Sequence, residues 1–118
     1  MAGKNPGAEA CDENCPVRRT AEIVGHRWTT LIVRDLLGGK KRYSELLRSI
    51  SGISPRILAE RLKQLESHGL IERTAHPTVP PTTEYELTSL GLQLEPVIGA
   101  MALFGKALEV RFEDDWTG

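Results

Sequence analysis

This chain of 118 residues has no long hydrophobic run. Its longest nearly uninterrupted apolar stretch is Pro96–Gly105, well short of the roughly 20 residues that a bilayer-spanning helix needs. No charged-then-apolar leader opens it, so a soluble, cytoplasmic protein with no membrane attachment is expected. Cysteine is scarce. Cys11 and Cys15 stand in C-x3-C spacing, which is neither the C-x-x-C of a dithiol oxidoreductase nor a zinc knuckle. Both thiols are expected to be reduced in that compartment. His26, His68 and His76 are too dispersed to supply ligand spacing, so no metal site is expected with the cysteines. No Gly-rich pocket loop and no nucleophile–base pair is legible, which argues against an enzyme and against a cofactor.

Net charge is also nearly absent, at −1, but its distribution is uneven. Residues 16–83 carry 12 Lys/Arg against 6 Asp/Glu. Residues 1–15 carry 1 against 3, and residues 84–118 carry 2 against 7. A basic middle between acidic ends fits a polyanion-facing surface set apart from an assembly surface. A chance fluctuation of solvated charge is the alternative.

The length allows one domain. Residues 1–14 are expected to form a disordered or flexible arm, because MAGKNPGAEA is small, polar and broken by Pro and Gly. Residues 15–118 are expected to fold as a unit. Pro16 suits a first helical position. Val17, Ala21 and Val24 give a short amphipathic helix ending at Gly25. A second helix starts near Trp28 with Leu31, Ile32, Leu36 and Leu37 at near-helical spacing, and Gly38–Gly39 stop it. Lys40–Tyr43 reads as a short basic strand.

Tyr43–Gly69, YSELLRSISGISPRILAERLKQLESHG, is the most structured text in the chain. It reads as a short helix that Ser44 caps or opens, a turn at Ser51–Gly52, and a longer helix. The punctuation of that longer helix is complete. Ser54 is the N-cap and Pro55 the first helical residue. Ile53 and Leu58 sit at staple positions. Gly69 is placed for a left-handed cap that folds Leu70 back onto Leu65. The helix is therefore expected over about Pro55–His68. Leu58, Leu62 and Leu65 share one face, with Arg56, Glu60, Lys63 and Ser67 opposite. Such a face is the solvated side of any amphipathic helix, or, after a short helix and a Gly turn, the reading face of a helix-turn-helix.

Ile71–Thr74 and Glu84–Leu87 have strand composition, and the three prolines of 75–83 are expected to halt both strands' pairing. The hairpin makes a wing, so the expected fold is mainly α with a small β-hairpin wing, a winged helix-turn-helix. Thr88 is expected to cap one final helix, with Leu87 and Leu92 as its staple and Pro96 kinking its interior. From Val97 to Leu108 only Lys106 is charged. A helix this apolar is buried on more than one side. Either it is the central core helix of a monomer, or a second subunit covers it.

The motifs CPV at 15–17, VGHRW to LIER across 24–73, VPPTTEYELTSLG at 79–91 and the Pro96-containing terminal helix together resemble the HxlR-type (MarR-like) winged-helix transcriptional regulators. The likeness spans roughly residues 15–112. It implies a homodimeric bacterial or archaeal DNA-binding regulator, with DNA contacts within 40–88 and dimerisation through 15–26 and 88–112. It also implies that the cysteine before Pro senses oxidants or electrophiles in some members, and Cys15 holds that position. Cys11 has no general counterpart there. Thr82 stands where the family often has a basic residue, and only Phe104 stands where it often has an aromatic pair.

A dimer would present two recognition helices about 34 Å apart to double-stranded DNA, so a pseudo-palindromic operator is expected. Arg56 suits a bidentate guanine contact or a phosphate clamp. Glu60 either accepts from a cytosine amino group or orients Arg56 or Lys63. Ser54 offers a hydroxyl, Lys63 meets phosphate, and Ser44 meets phosphate from the preceding helix. Arg42 belongs to the basic run Lys40–Arg42, and His76 and Thr78 would approach from the wing. Cys15, before a Pro-initiated helix and near Arg18 and Arg19, is expected to be more reactive than Cys11 among its acidic neighbours. The alternative for Cys15 is a small, buried, inert filler or a poor N-cap. The competing function is a winged-helix module that binds protein in place of DNA. A small-molecule or oxidant effector is the remaining expected partner.

Overall fold

The chain builds its core around one helix that touches nearly everything else. The computed structural model describes residues 12–112. Cys11 and residues 1–10 of the expected arm lie outside them. Helix α1 spans Pro16–Val24 and α2 spans Arg27–Leu36. Strand β1, Lys41–Arg42, leads into α3, Tyr43–Ser49, and then α4, Pro55–Ser67. The hairpin β2 (Ile71–His76) and β3 (Thr82–Leu87) follows, then a short α5 (Ser89–Leu92) and a long α6 (Glu95–Phe112).

Helix α2 is the centre. It packs against α1, α3, α4, β3 and α6, and buries Ile32, Val33 and Leu36. Leu46 from α3 and Leu58, Leu62 and Leu65 from α4 close over it, each at most 1% exposed. Polar contacts fix the angles between these helices. Thr30 Oγ1 donates to the Val24 carbonyl at 2.7 Å, holding α2 to the end of α1. Ser49 Oγ donates to Asp35 Oδ2, joining α3 to α2.

The punctuation of α4 is as the residues dictate. Ser54 Oγ accepts from Ile57 N–H at 3.1 Å. At the far end, Gly69 takes φ +75°, a region open to glycine at little steric cost. Leu70 N–H then donates to the Leu65 carbonyl and Gly69 N–H to the Glu66 carbonyl, each at 3.0 Å, the paired bonds of a Schellman cap.

The β-sheet is larger than the expected hairpin. Its order is β1-β3-β2, all antiparallel. Lys41 pairs with Tyr85 and Arg42 with Glu84. Both long strands run two residues past the expected limits, through Ala75↔Thr83 and His76↔Thr82. Pro77, Pro80 and Pro81 all fall beyond the last pair, so they shape the tip without stopping the ladder. Only the base of the hairpin is buried, at Ile71, Tyr85 and Leu87.

Two expectations fail. Ser44 does not cap α3. The cap position is Arg42, whose N–H donates to Glu45 Oε1 at 2.7 Å, and Ser44 is the second helical residue. The final helix is also not one helix kinked at Pro96. Thr88 caps only α5, through Gly91 N–H at 3.1 Å. Gln93 and Leu94 then form a tight turn, and Pro96 sits in the first turn of α6, where its missing N–H costs nothing. Leu92 is half exposed, and Leu87 is buried.

The seat of α5 is close-packed at Gly91. A Cβ built on Gly91 would lie 2.1 Å from the Leu70 carbonyl oxygen and 2.9 Å from Leu87 Cδ2. Adding one methyl here must push α5 off the end of α4, the kind of overpacking that costs about 1–3 kcal/mol. We expect Gly91→Ala to lower the thermal midpoint by roughly 5–20 °C. A melt followed by circular dichroism checks this, and an unchanged midpoint would refute the packing described.

Candidate nucleic-acid interface

The face of α4 opposite the leucine stripe is open. Ser54, Arg56, Glu60 and Lys63 are all exposed, while the three leucines behind them hold the helix to the core. The Arg56 side chain is 86% exposed, and its Nε donates to Glu60 Oε2 at 3.3 Å. That pairing uses Nε alone and leaves both terminal nitrogens of the guanidinium to form a bidentate contact elsewhere. As an exposed i,i+4 pair it adds little stability; its effect is to bias the direction of Arg56. Ser54 spends an acceptor lone pair on its cap and keeps its hydroxyl proton for donation.

Helix α3 is anchored beside α4 by a bond that sequence spacing does not reveal. Tyr43 Oη donates to the Pro55 carbonyl at 3.0 Å, twelve residues away. It ties the first turn of α3 to the first turn of α4, so exposed Ser44 and exposed Ser54 belong to neighbouring helix starts. The turn between the helices passes through Gly52 at φ +87°. There a Cβ would meet the Trp28 ring at 3.6 Å.

Arg42 is exposed next to this region, at the end of β1. Its register partner is Glu84. Glu84 Oε1 also lies 2.8 Å from His76 Nε2. The hydrogen bond from His76 holds the Glu84 carboxyl below its ordinary range, against partial desolvation, and the charges of Lys40 and Arg42 add to the pull. His76 is thus engaged with its own hairpin. Thr78 is likewise turned inward on the tip, donating to the Pro80 carbonyl at 2.7 Å, with Thr82 Oγ1 at 3.4 Å. The wing offers few donors of its own, in keeping with Thr82 in place of a basic residue.

Cys15 lies apart from this face. It is the half-buried N-cap of α1, and its side chain makes no cap bond to the helix. Its carbonyl accepts from Arg19 N–H at 3.0 Å and its own N–H donates to the Asp12 carbonyl at 3.1 Å. Cys11, the other expected thiol, lies outside the described residues. Among the described residues no cluster of His, Cys, Asp and Glu is arranged to hold a metal ion, and no helix is long and apolar enough to cross a membrane.

Comparison with known proteins agrees with this geometry. An HTH-type transcriptional regulator of Synechocystis, sll1512, is 38% identical over 101 residues, covering 83% of this chain and 75% of the relative. A MarR-family regulator structure from Porphyromonas gingivalis superposes with a TM-score of 0.80 at 43% identity, covering 83% of this chain and 96% of that one. The redox regulator HypR in its reduced form gives 0.77 at 33% identity over 84% and 98% of the two chains. Its oxidised form gives 0.73 at 35% identity over 79% and 96%. The HxlR-like helix-turn-helix profile matches residues 23–111. With most of its length matched, and with the caps, turn and wing in place, the chain belongs to the HxlR-like helix-turn-helix family of transcriptional regulators, and its winged helix is not that of an enzyme.

Proposed function

We propose that this regulator works as a homodimer that reads a pseudo-palindromic operator by placing α4 of each subunit in the major groove. The observation that carries this is the two-sided character of α4, sealed by Leu58, Leu62 and Leu65 and open at Arg56, Glu60 and Lys63. Arg56, aimed by Glu60, contacts a guanine edge. Lys63, Ser44, Ser54 and Arg42 meet backbone phosphates, which set register without reading sequence. His76 and Thr78 shape the wing and contribute less directly. The basic surplus of residues 16–83 favours this over a protein-binding module.

The dimer is supported by α6. Leu103, Phe104 and Val110 are 73%, 67% and 79% exposed, and α2, not α6, occupies the core. A solvent-facing row of large apolar side chains on one long helix calls for a partner surface, and Pro16, Val17 and Ala21 on α1 add a second apolar patch. We propose too that Cys15 gives the regulator a response to oxidants or electrophiles. Support comes from its position at the start of α1 and from the likeness to a redox regulator solved in both oxidation states.

Three measurements test these readings. In anisotropy titrations on selected operator fragments, Arg56→Ala should lose about 1–3 kcal/mol and relax specificity at one base position. Lys63→Ala should weaken all sequences alike and lower the salt slope by about 1. An Arg56→Ala protein that binds as wild type does would remove α4 from the groove. By sedimentation the wild type should run as a dimer of 13.1 kDa chains, and Phe104→Glu should give folded monomers; a monomeric wild type would sink the assembly. With diamide added, operator affinity should change in the wild type and stay constant in Cys15→Ser. If Cys15→Ser responds equally, the sensor lies elsewhere.

A further inference from the structure

Helices α3 and α4 rest on partly different platforms. Helix α3 packs on α2, β1 and β3, whereas α4 packs on α2 and β2. With seven residues and one buried side chain, Leu46, α3 has little packing of its own to fix its axis. Its far end is held by Ser49, which donates to Asp35 on α2. The turn into α4 passes through Gly52 at φ +87°, the residue type with the widest backbone freedom. Tyr43 crosses directly between the two helices. Its half-buried ring packs against the core, and its Oη donates to the Pro55 carbonyl at 3.0 Å.

We propose that Tyr43 is a positioning residue for operator reading, whose hydroxyl carries the register set by phosphate contacts near α3 to the Arg56 guanidinium on α4. This rests on the operator reading above and supplies the link between its two contact sets. Pro55 is the first residue of α4, and its carbonyl lies in the same rigid peptide plane as the Arg56 N–H. Fixing that oxygen fixes the plane from which Arg56 departs. Glu60 then biases the direction of the guanidinium, through Nε at 3.3 Å. Tyr43 itself stands between Arg42 and Ser44 in the chain, the two residues set against backbone phosphate in that reading.

The division of labour on DNA gives this bond its effect. Phosphate contacts set register and carry no sequence information, whereas contacts to base edges carry it. A binding constellation works only when held within about 0.5 Å of its productive geometry. A tie from one contact set to the other therefore favours the correct sequence over others and adds little to the binding of DNA in general. Folding depends on the tie only weakly. The Pro55 carbonyl also accepts, in the helical ladder, from the residue four places on. Loss of the hydroxyl thus orphans no polar group, and a phenylalanine ring fills the same space.

The test compares Tyr43→Phe with wild type in anisotropy titrations on a selected operator fragment and on a scrambled fragment of equal length. Operator affinity should fall about three- to tenfold per half-site, the scale of one net hydrogen bond. Affinity for the scrambled fragment and the salt slope should stay as they are, since no charge is removed. The thermal midpoint should move by less than about 5 °C. In an Arg56→Ala background, Tyr43→Phe should cost operator affinity nothing further, because the two changes act on one contact. In a Lys63→Ala background it should cost the full amount. Equal losses on the two fragments would make the hydroxyl a general structural bond and overturn the proposal. A further loss in the Arg56→Ala background overturns it equally. A wild type that prefers no fragment would sink the operator reading and this proposal with it, whereas a selective wild type beside an equally selective Tyr43→Phe sinks the proposal alone.

Discussion

Helix α4 has to stop at His68 and the chain has to turn at once into β2. That constraint organises the molecule. Gly69 makes the turn at positive φ, and Leu70 closes it with a bond back to Leu65. The same two residues then receive the next element, since Thr88 Oγ1 donates to the Gly69 carbonyl at 2.7 Å and Thr88 N–H to the Leu70 carbonyl. Gly91 lies against that carbonyl with no room for a side chain. One junction therefore ends α4, starts the wing, closes the base of the hairpin and sets where α5 begins. Satisfying every backbone group at such a crossing is what keeps it from costing stability.

With its end fixed, α4 is held along its length by leucines and at its start by Ser54 and by the Tyr43 hydroxyl. The exposed face is left free for a partner. The electrostatics of the region follow the same division. Arg56 is biased by Glu60 without being neutralised, whereas on the wing Glu84 is already matched by His76 and the nearby Lys40 and Arg42. Exposed, uncommitted donors are thus concentrated on α4, and the wing tip is occupied with its own threonine and proline contacts.

The sequence made α4 legible because its signals are local. A cap hydroxyl three residues from its N–H, a staple five residues apart and a glycine one residue past the helix act within a single turn. The leucine stripe is legible for the same reason. The reach of β2 and β3 is less legible, since the prolines of 77–81 read as stops and yet lie just outside the ladder. Pro96 reads as an interior kink because the break at Gln93–Leu94 depends on α5 being seated against Leu70, a contact over twenty residues away in the chain. Tyr43 to Pro55, Asp35 to Ser49 and Gly91 to Leu70 carried no local signal at all.

By itself, then, the sequence determined the element types, the boundaries of α4 and the set Ser54, Arg56, Glu60 and Lys63 on one helical face. These follow from periodicity and capping, which depend on neighbours within about four residues. Only the tertiary structure decided that α2 and not α6 is the central helix, that β1 joins the sheet, that His76 turns to Glu84, and that Gly91 seats against Leu70. Those outcomes depend on which surfaces exclude water together and which side chains meet across the fold, and no spacing along the chain encodes that distance.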